Sequence, residues 1–446
     1  MTRSNRANRG TLAPPRIAVI GAGPCGLTTV KNLLQAGLDD IACFEEGDVI
    51  GGQWAFRENK SKSAVYQSTH IISSKRFSSF ADFPMPKKYP DFPSHRQILA
   101  YFEQYAAHFK VMPHVRLRSR VDRARPDAEG RWRLWVMTPE GRSEETFDYL
   151  LVCSGHHWDP HMPDYPGRFD GESLHSHAYK RPEPFEGKRV LVVGGGNSAC
   201  DIAVDIGRVA KMCAISMRRG YYIMPKLLFG APADTALWRL RHLPKPLRQI
   251  FAGWLVRAVV GRWQRYGLQP PEARLMEMHP TLNSDILNAL RHGTVLPRAG
   301  IEVLDGRKVR FRNGREDEFD IVIWATGYRV SLPFLDISIV GAEPSEPPPL
   351  YLKMMPAEPG NLFFIGLFQP IGCIWTLADL QARIAALRIA GALEAPANLA
   401  ARIDREARKP HWRFEKRPRH ALEVDFNEFR KELLAEIARA RPEAWV

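Results

Sequence analysis

Short, unbroken apolar runs alternate along this chain with stretches in which apolar positions recur every third or fourth residue. Arg16–Ile20 reads R-I-A-V-I and Ile41–Phe44 reads I-A-C-F; between them Leu27–Ala36 carries helical spacing that stops at Gly37. The order then repeats. Lys188–Val193 reads K-R-V-L-V-V, a helical pattern follows through Cys200, Asp201, Ile202 and Val204, and Cys213–Met217 forms another apolar run. A strand exposed on one face alternates apolar with polar, whereas a strand covered on both faces reads as a continuous apolar run. Strand, helix, strand, twice over, predicts an α/β fold built on parallel sheets.

The joint between the first strand and helix carries chemistry. Gly21-Ala22-Gly23-Pro24-Cys25-Gly26 is a G-x-G-x-x-G pattern placed directly after a strand and opening a helix, the context that gives the pattern meaning. Gly21 permits the tight turn, Gly23 lets backbone approach a pyrophosphate, and Gly26 lets helix and strand pack closely. The helix N-terminus then offers free N–H groups and a positive dipole end to phosphates. The second strand ends at Glu45, with Glu46 adjacent. A carboxylate there accepts from ribose hydroxyls and repels a 2′-phosphate, so the site suits FAD or NAD. Either acid can serve; Glu45 directly ends the strand and is preferred.

The second joint differs. Gly194-Gly195-Gly196-Asn197-Ser198-Ala199 is G-x-G-x-x-A, and its helix continues through Asp201. The strand that follows ends in Arg218 and Arg219 rather than an acid. A guanidinium there pairs with a 2′-phosphate, which favours NADPH over NADH. Two such units, one acidic and one basic at equivalent points, imply hydride transfer from NADPH to a flavin.

Composition narrows the class. The 446 residues are too many for one ordinary core, and two or three domains are expected. The formal charge of +14 suits an anionic partner. No zinc-finger spacing or nucleic-acid signature accompanies it, so nucleic acid is set aside. Phosphorylated cofactors account for only part of the excess. The six cysteines include no C-x-x-C pair, which argues against a redox disulfide or a zinc knuckle and for reduced, buried thiols. Neither a nucleophilic triad nor a metal site is expected from the histidine spacing. No apolar run reaches spanning length, and Met1–Leu12 is polar and basic without the apolar core of a secretory signal. The reading is a tail ahead of the first strand and a cytoplasmic location.

Several further segments resemble the flavin-containing monooxygenases. Phe169-x-Gly171-x-x-x-His175-x-x-x-Tyr179-Lys180 is similar to that family's fingerprint, and its Tyr-Lys ending resembles the heteroatom-oxygenating branch rather than the Baeyer–Villiger branch. Gly51-Gly52-Gln53-Trp54 resembles a flavin-contacting stretch. Cys153-Ser154-Gly155-His156-His157 and Trp324-Ala325-Thr326-Gly327-Tyr328 resemble the two linkers between domains, and Leu380-Gln381-Ala382-Arg383 resembles the segment after the final strand. The resemblance covers roughly residues 15–435. It implies FAD and NADPH as cofactors, with Gly52, Gln53, Trp54, Val121, Thr326, Gly327 and Gln381 added to the binding set and Tyr179 and Lys180 to the catalytic set. It also implies a reaction in which O2 adds to reduced flavin and the resulting peroxide delivers one oxygen atom to a soft nitrogen or sulfur nucleophile of a small organic substrate. The residues depart from the family at one point. Tyr66–Lys75 matches a segment that carries an asparagine beside the flavin, and Ile72 stands in that place. Isoleucine has no donor or acceptor. Ser73 or His70 is the candidate substitute; otherwise the protein acts in part as an NADPH oxidase. A Baeyer–Villiger or N-hydroxylating relative and a non-catalytic flavin-binding partner are the remaining rivals. A pyridine-nucleotide disulfide reductase needs a cysteine pair that the chain lacks.

The expected architecture is two Rossmann-like dinucleotide-binding domains. Residues 1–165 and 331–446 form a discontinuous FAD domain, and residues 166–330 an inserted NADP domain. The stretch Lys226–Glu277 interrupts the second unit. Within it Leu247, Ile250, Phe251, Trp254, Ala258 and Val259 recur at helical spacing, with Arg248, Arg257 and Arg262 largely off that face, which predicts an amphipathic helix. Packing of that face over the NADP domain is the first expectation. A roof over a substrate channel and peripheral contact with an anionic membrane are the alternatives. Leu393–Val446 reads as helical and basic and is expected to pack on the FAD domain. Oligomeric state is not written in the sequence; a homodimer is left open.

Overall fold

The computed structural model describes residues 14–58, 62–275, 277–342, 348–408 and 422–441. The expected N-terminal tail, Met1–Leu12, and part of the basic segment Leu393–Val446 lie outside the described residues.

The chain opens with strand β1 (Ile17–Ile20), helix α1 (Pro24–Gln35), β2 (Ile41–Phe44), α2 (His95–His108), β3 (Val115–Arg116) and β4 (Tyr149–Val152). It then enters a second unit: β5 (Glu172–His175), β6 (Arg189–Val193), α3 (Asn197–Ile206), β7 (Met212–Ser216), α4 (Lys245–Val260), β8 (Leu296–Arg298) and β9 (Ile321–Trp324). It returns with β10 (Leu362–Phe364), α5 (Ile374–Ile389) and α6 (Phe426–Ile437). The first sheet has the order β10-β4-β1-β2-β3 and the second β5-β9-β6-β7-β8, and every pairing in both is parallel. The strand β10 joins the first sheet from the far side of the second unit, so the first sheet is built from discontinuous chain.

Each central strand divides its side chains between two cores. From β1, Ile17 and Val19 pack with α1, α2 and α5, while Ala18 and Ile20 face a three-stranded antiparallel sheet of Arg120–Pro126, Trp132–Thr138 and Gly141–Phe147. From β6, Val190 and Val192 pack with α3, while Leu191 and Val193 face a four-stranded sheet containing Ile301–Gly306 and Lys308–Phe311. This two-sided cover is why the runs are continuous. Burying each such valine, leucine or isoleucine contributes roughly 1.5–3 kcal/mol relative to exposure.

The chain crosses between the units twice, and the crossings pair with each other. Asp159–Pro160 lies antiparallel to Tyr328–Arg329, with Tyr328 opposite Pro160. At the C-terminal end, Phe429 and Leu433 of α6 join the core of the first sheet, as expected for the described part of that segment. The helix α4 carries a reversal of expectation. Its buried side chains are Arg248, Ala252, Val256 and Val260, while Leu247, Ile250, Phe251, Trp254 and Val259 are exposed. The periodicity is as expected, but the apolar stripe faces outward. The inner positions are already filled by small residues and by an arginine with its own partner: Arg248 Nη2 lies 3.4 Å from Asp425 Oδ2.

Candidate active site

Both glycine loops open into one cleft of about 1950 Å3. Small-ligand pockets commonly hold about 300–1,000 Å3, so this space accommodates two dinucleotides with room beside them.

The two loops share a construction. The helix α1 starts at Gly23 and α3 at Gly196, neither has a side-chain cap, and neither has an acid in its first turn. The contrast is α2, whose Ser94 and Gln97 form a reciprocal capping box. Helix N-termini leave donors that side chains, water or ligands must satisfy. In α2 the chain satisfies two itself; in α1 and α3 they stay open toward the cleft. Gly21 has φ 101° and Gly194 has φ 143°, and a Cβ would meet Cys153 O at 2.8 Å from Gly21 and Ala325 O at 2.3 Å from Gly194. Each loop is thereby pressed against the linker that follows a central strand.

At the end of β2, Glu45 turns back on the loop. Its Oε2 accepts from the Ala22 N–H at 2.8 Å and its Oε1 from the Gly47 N–H at 2.8 Å. Burial raises its pKa, opposed by those two donors. Glu46 points elsewhere and pairs with Lys62 at 2.9 Å. At the end of β7, Arg218 is exposed and lines the cleft, while Arg219 is buried with its guanidinium 5.3 Å from the Tyr221 ring centroid. Tyr165, stacked on Trp324 at 5.7 Å, feels both Arg218 and Arg312. Arg312 is a positive group that the motif did not reveal, because it arrives from the antiparallel sheet.

Most of the expected site residues line the cleft: Gly21, Gly23, Pro24, Cys25, Glu45, Gly52, Gln53, Trp54, His70, Ile72, Ser73, Val121, Gly194, Gly196, Asn197, Ser198, Ala199, Asp201, Arg218, Arg219, Thr326 and Gly327. Ala22 and Gly26 lie behind the loop. A Cβ on Gly26 would stand 1.8 Å from Gly21 O, so that glycine serves the strand–helix contact. Asp201 lines the wall with both carboxylate oxygens engaged, by Tyr66 Oη at 2.8 Å and Asn283 Nδ2 at 2.5 Å.

Three expectations are corrected. Tyr179 is fully buried away from the cleft, its hydroxyl 3.3 Å from Asp205 Oδ2. Lys180 donates to Ser63 O at 2.6 Å and Val65 O at 3.2 Å, and burial lowers its pKa to about 8. Gln381 is buried and bridges the backbone, accepting from the Gly366 N–H and donating to Leu352 O, each at 2.9 Å. None of the three lines the cleft. The fingerprint's Tyr179-Lys180 instead grips the strap of residues 63–72, which also ties to α3 through Tyr66–Asp201 and Ser68–Asp205. Gln381 holds Gly366, which does line the cleft.

Each candidate stand-in for the absent asparagine lines the cleft with one polar contact to the chain. Ser73 Oγ lies 2.8 Å from Ser78 Oγ, and His70 Nδ1 lies 2.9 Å from Ser68 O. Around Ile72 the wall comes from distant chain. Phe77 meets Trp238 edge-on at 5.3 Å, Trp54 meets Trp375 at 5.6 Å, and Asp234 Oδ2 accepts from the Ser74 N–H at 2.6 Å. Asp234 and Trp238 belong to the inserted stretch, so the insertion does roof the cleft. His156, on the first linker, is buried beside Gln369, and burial lowers its pKa to about 4, which keeps it neutral.

A family model described as flavin-binding monooxygenase-like matches residues 14–445. The chain belongs to that family. It is 36% identical over 449 residues to the human protein named flavin-containing monooxygenase 5, an alignment covering 96% of this chain and 83% of that one. It is 35% identical over 450 residues to the rat dimethylaniline monooxygenase (N-oxide-forming) 2, again covering 96% and 83%. Among solved structures, the S-allyl-L-cysteine S-oxygenase from Allium sativum matches with a TM-score of 0.71 at 23% identity, covering 96% of this chain and 90% of that chain. A closed structure of cyclohexanone monooxygenase matches with a TM-score of 0.72 at 16% identity, covering 95% and 97%. These two likenesses speak for the fold. As a flavin-binding monooxygenase the protein is an FAD- and NADPH-dependent oxidoreductase that acts with O2.

Proposed function

We propose that the protein inserts one oxygen atom of O2 into a nitrogen or sulfur nucleophile of a small organic substrate, with NADPH as reductant. The observation that carries the reading is the pair of open helix N-termini facing one cleft, with a carboxylate at one strand end and an exposed guanidinium at the other. We assign FAD to the Gly21–Gly26 loop and NADPH to the Gly194–Ala199 loop. The residues fit these groups. Gly23 leaves 3.6 Å between an added Cβ and the nearest protein atom, Gly52 Cα, so its lack of a side chain is demanded by a guest rather than by the chain itself. Glu45 suits a ribose without a 2′-phosphate, and Arg218 suits one with it.

When bound, the flavin supplies electron transfer from the nicotinamide to O2. The chain's own work is binding, orientation and exclusion of water. The uncapped N-terminus of α1 holds one pyrophosphate and that of α3 the other. Glu45 fixes the first loop through the Ala22 N–H and accepts from ribose. The strap of residues 63–72, gripped by Lys180 and Asp201, holds Ile72 and Ser73 against the reacting region. Phe77, Trp238 and Trp375 wall it with apolar surface that favours an uncharged soft nucleophile. Residues 1–165 with 331–446, and residues 166–330, are the two domains of this reading.

A second reading, an NADPH oxidase, is favoured by Ile72, which lines the cleft where the family carries an asparagine and offers no polar atom. Parallel measurement of NADPH, O2 and hydrogen peroxide, with and without a panel of amines and sulfides, separates the two. Oxygenated product with little peroxide supports the monooxygenase. Peroxide equal to NADPH consumed under every condition sinks it in favour of the oxidase.

A further inference from the structure

The strap of residues 63–72 is held by both units, and the change of hands falls at one turn. Its first half belongs to the second unit. Lys180 donates to Ser63 O and Val65 O, the Gln67 N–H donates to Lys180 O at 2.8 Å, and Tyr66 is buried in the core around β6 and α3. Its second half belongs to the first unit. Thr69 O accepts from the His95 N–H at 2.9 Å, the Ile71 N–H donates to Pro93 O at 3.0 Å, and Ile71 sits in the core of the first sheet. Between the halves the turn is closed twice. The Thr69 N–H donates to Tyr66 O and the Tyr66 N–H to Thr69 Oγ1, both at 2.9 Å. A displacement of Tyr66 or Ser68 is therefore passed on toward Ile72 and Ser73, which line the cleft.

The grip on that turn comes from α3. Asp201 and Asp205 stand four residues apart and so share one face of the helix. Asp201 accepts from Tyr66 Oη at 2.8 Å; Asp205 accepts from Ser68 Oγ and, at 3.3 Å, from Tyr179 Oη. Asp205 is buried and lies off the cleft wall, while Ser68 is exposed. Two carboxylates one turn apart repel, and burial raises the pKa of both. Packing alone does not call for them, since apolar side chains join two surfaces at lower cost; directed acceptors fix one register. The other end of α3 faces the cleft. Asn197, its first residue, precedes Asp201 by about one turn, and the open N-terminus there is the one assigned to the dinucleotide.

We propose that the pairs Tyr66–Asp201 and Ser68–Asp205 tie the strap to α3, so that a dinucleotide bound at the N-terminus of α3 orders residues 66–73 and sets the cleft wall at Ile72 and Ser73. Asp205 is then a positioning residue that reaches the reacting region only through Ser68. The inference rests on the assignment of NADPH to the Gly194–Ala199 loop. It adds that the second cofactor governs a wall whose residues belong, by their place in the chain, to the first domain. A ligand shifts such an equilibrium only through contacts that differ between the two states, and here the restrained first turn of α3 supplies them.

Hydrogen exchange on the flavin-loaded protein tests the proposal, read over residues 66–73 with and without saturating NADP+. In the wild type NADP+ is expected to slow exchange there about tenfold, within the usual range of such couplings. S68A and D205N are expected to bind NADP+ and keep flavin absorbance while losing that protection. S68T is expected to restore it, and S68A/D205N to be no worse than either single variant. By linkage, NADP+ affinity in S68A is expected to fall by about the same factor. Because Ser68 is exposed, S68A disturbs no core. Protection that survives in S68A and D205N means direct cover by the ligand and overturns the proposal. So does NADP+ binding without protection in the wild type. Absence of NADP+ binding overturns it together with the cofactor assignment of the Gly194–Ala199 loop.

Discussion

The loop at Gly21–Gly26 and the loop at Gly194–Ala199 follow the same path from a parallel strand into an uncapped helix, and they differ in how tightly the chain fastens them. In the first, Glu45 closes back on the Ala22 and Gly47 N–H groups, and Gly26 allows a contact that no side chain tolerates. In the second, Ala199 occupies the equivalent place, and the discriminating Arg218 stands exposed. On the proposed assignment, the first loop is preorganised by the chain for the flavin, and the second leaves its selective group to be ordered when NADPH binds. Preorganisation reduces the ordering cost of binding, which suits a flavin held through many turnovers.

The sharpest break of this comparison is at the third small residue. Gly26→Val is expected to abolish soluble, yellow protein, because the added side chain strikes Gly21 O. Ala199→Gly at the matching place should cost only about 1 kcal/mol of helix stability, read as a small shift in the urea midpoint. Equal damage at both places ends the claim that the first loop is tighter. Next, Gly23→Ala is expected to give folded but colourless protein, with circular dichroism unchanged and flavin absorbance lost. Retained flavin removes the FAD assignment.

Arg218→Ala should raise the KM for NADPH about tenfold to a hundredfold, the range for a hydrogen bond to a charged group, and leave NADH unaffected. An equal loss for both cofactors removes the 2′-phosphate argument. Glu45→Gln should weaken flavin affinity about tenfold in a titration of deflavinated protein, while Glu46→Gln, which touches only an exposed pair with Lys62, should change it little. The smallest effect is expected from Tyr66→Phe. It leaves Asp201 with one donor fewer at the strap and should lower unfolding free energy by about 1 kcal/mol in denaturant titration.

The repeated strand–helix pattern was legible because both sheets are covered on both faces, and the glycine loops because their chemistry is contiguous in the chain. Glu45 was legible for the same reason, although its grip on the Ala22 N–H was not. The roles of Tyr179, Lys180 and Gln381 were misplaced because a motif reports that residues matter, not whether they touch a ligand or hold the backbone that does. Phe77, Asp234 and Trp238 left no motif signal, since each joins the cleft from a distant segment, and Arg312 left none because it acts on the cleft-lining Tyr165 from the antiparallel sheet.

The helix α4 marks the boundary most clearly. Its period is a local property, fixed by which side chains recur every three to four positions, and the sequence alone determined it. Which face turns inward is decided by packing. The cleft wall admits Arg248 because Asp425, contributed from the far end of the chain, lies within 3.4 Å of it, and the apolar stripe is left outside. The sequence thus determined the two nucleotide loops, the opposite charges at their strand ends and the parallel sheets that carry them. Tertiary structure decided which residues meet in the cleft and which face α4 presents, because those depend on contacts between segments that no local pattern couples.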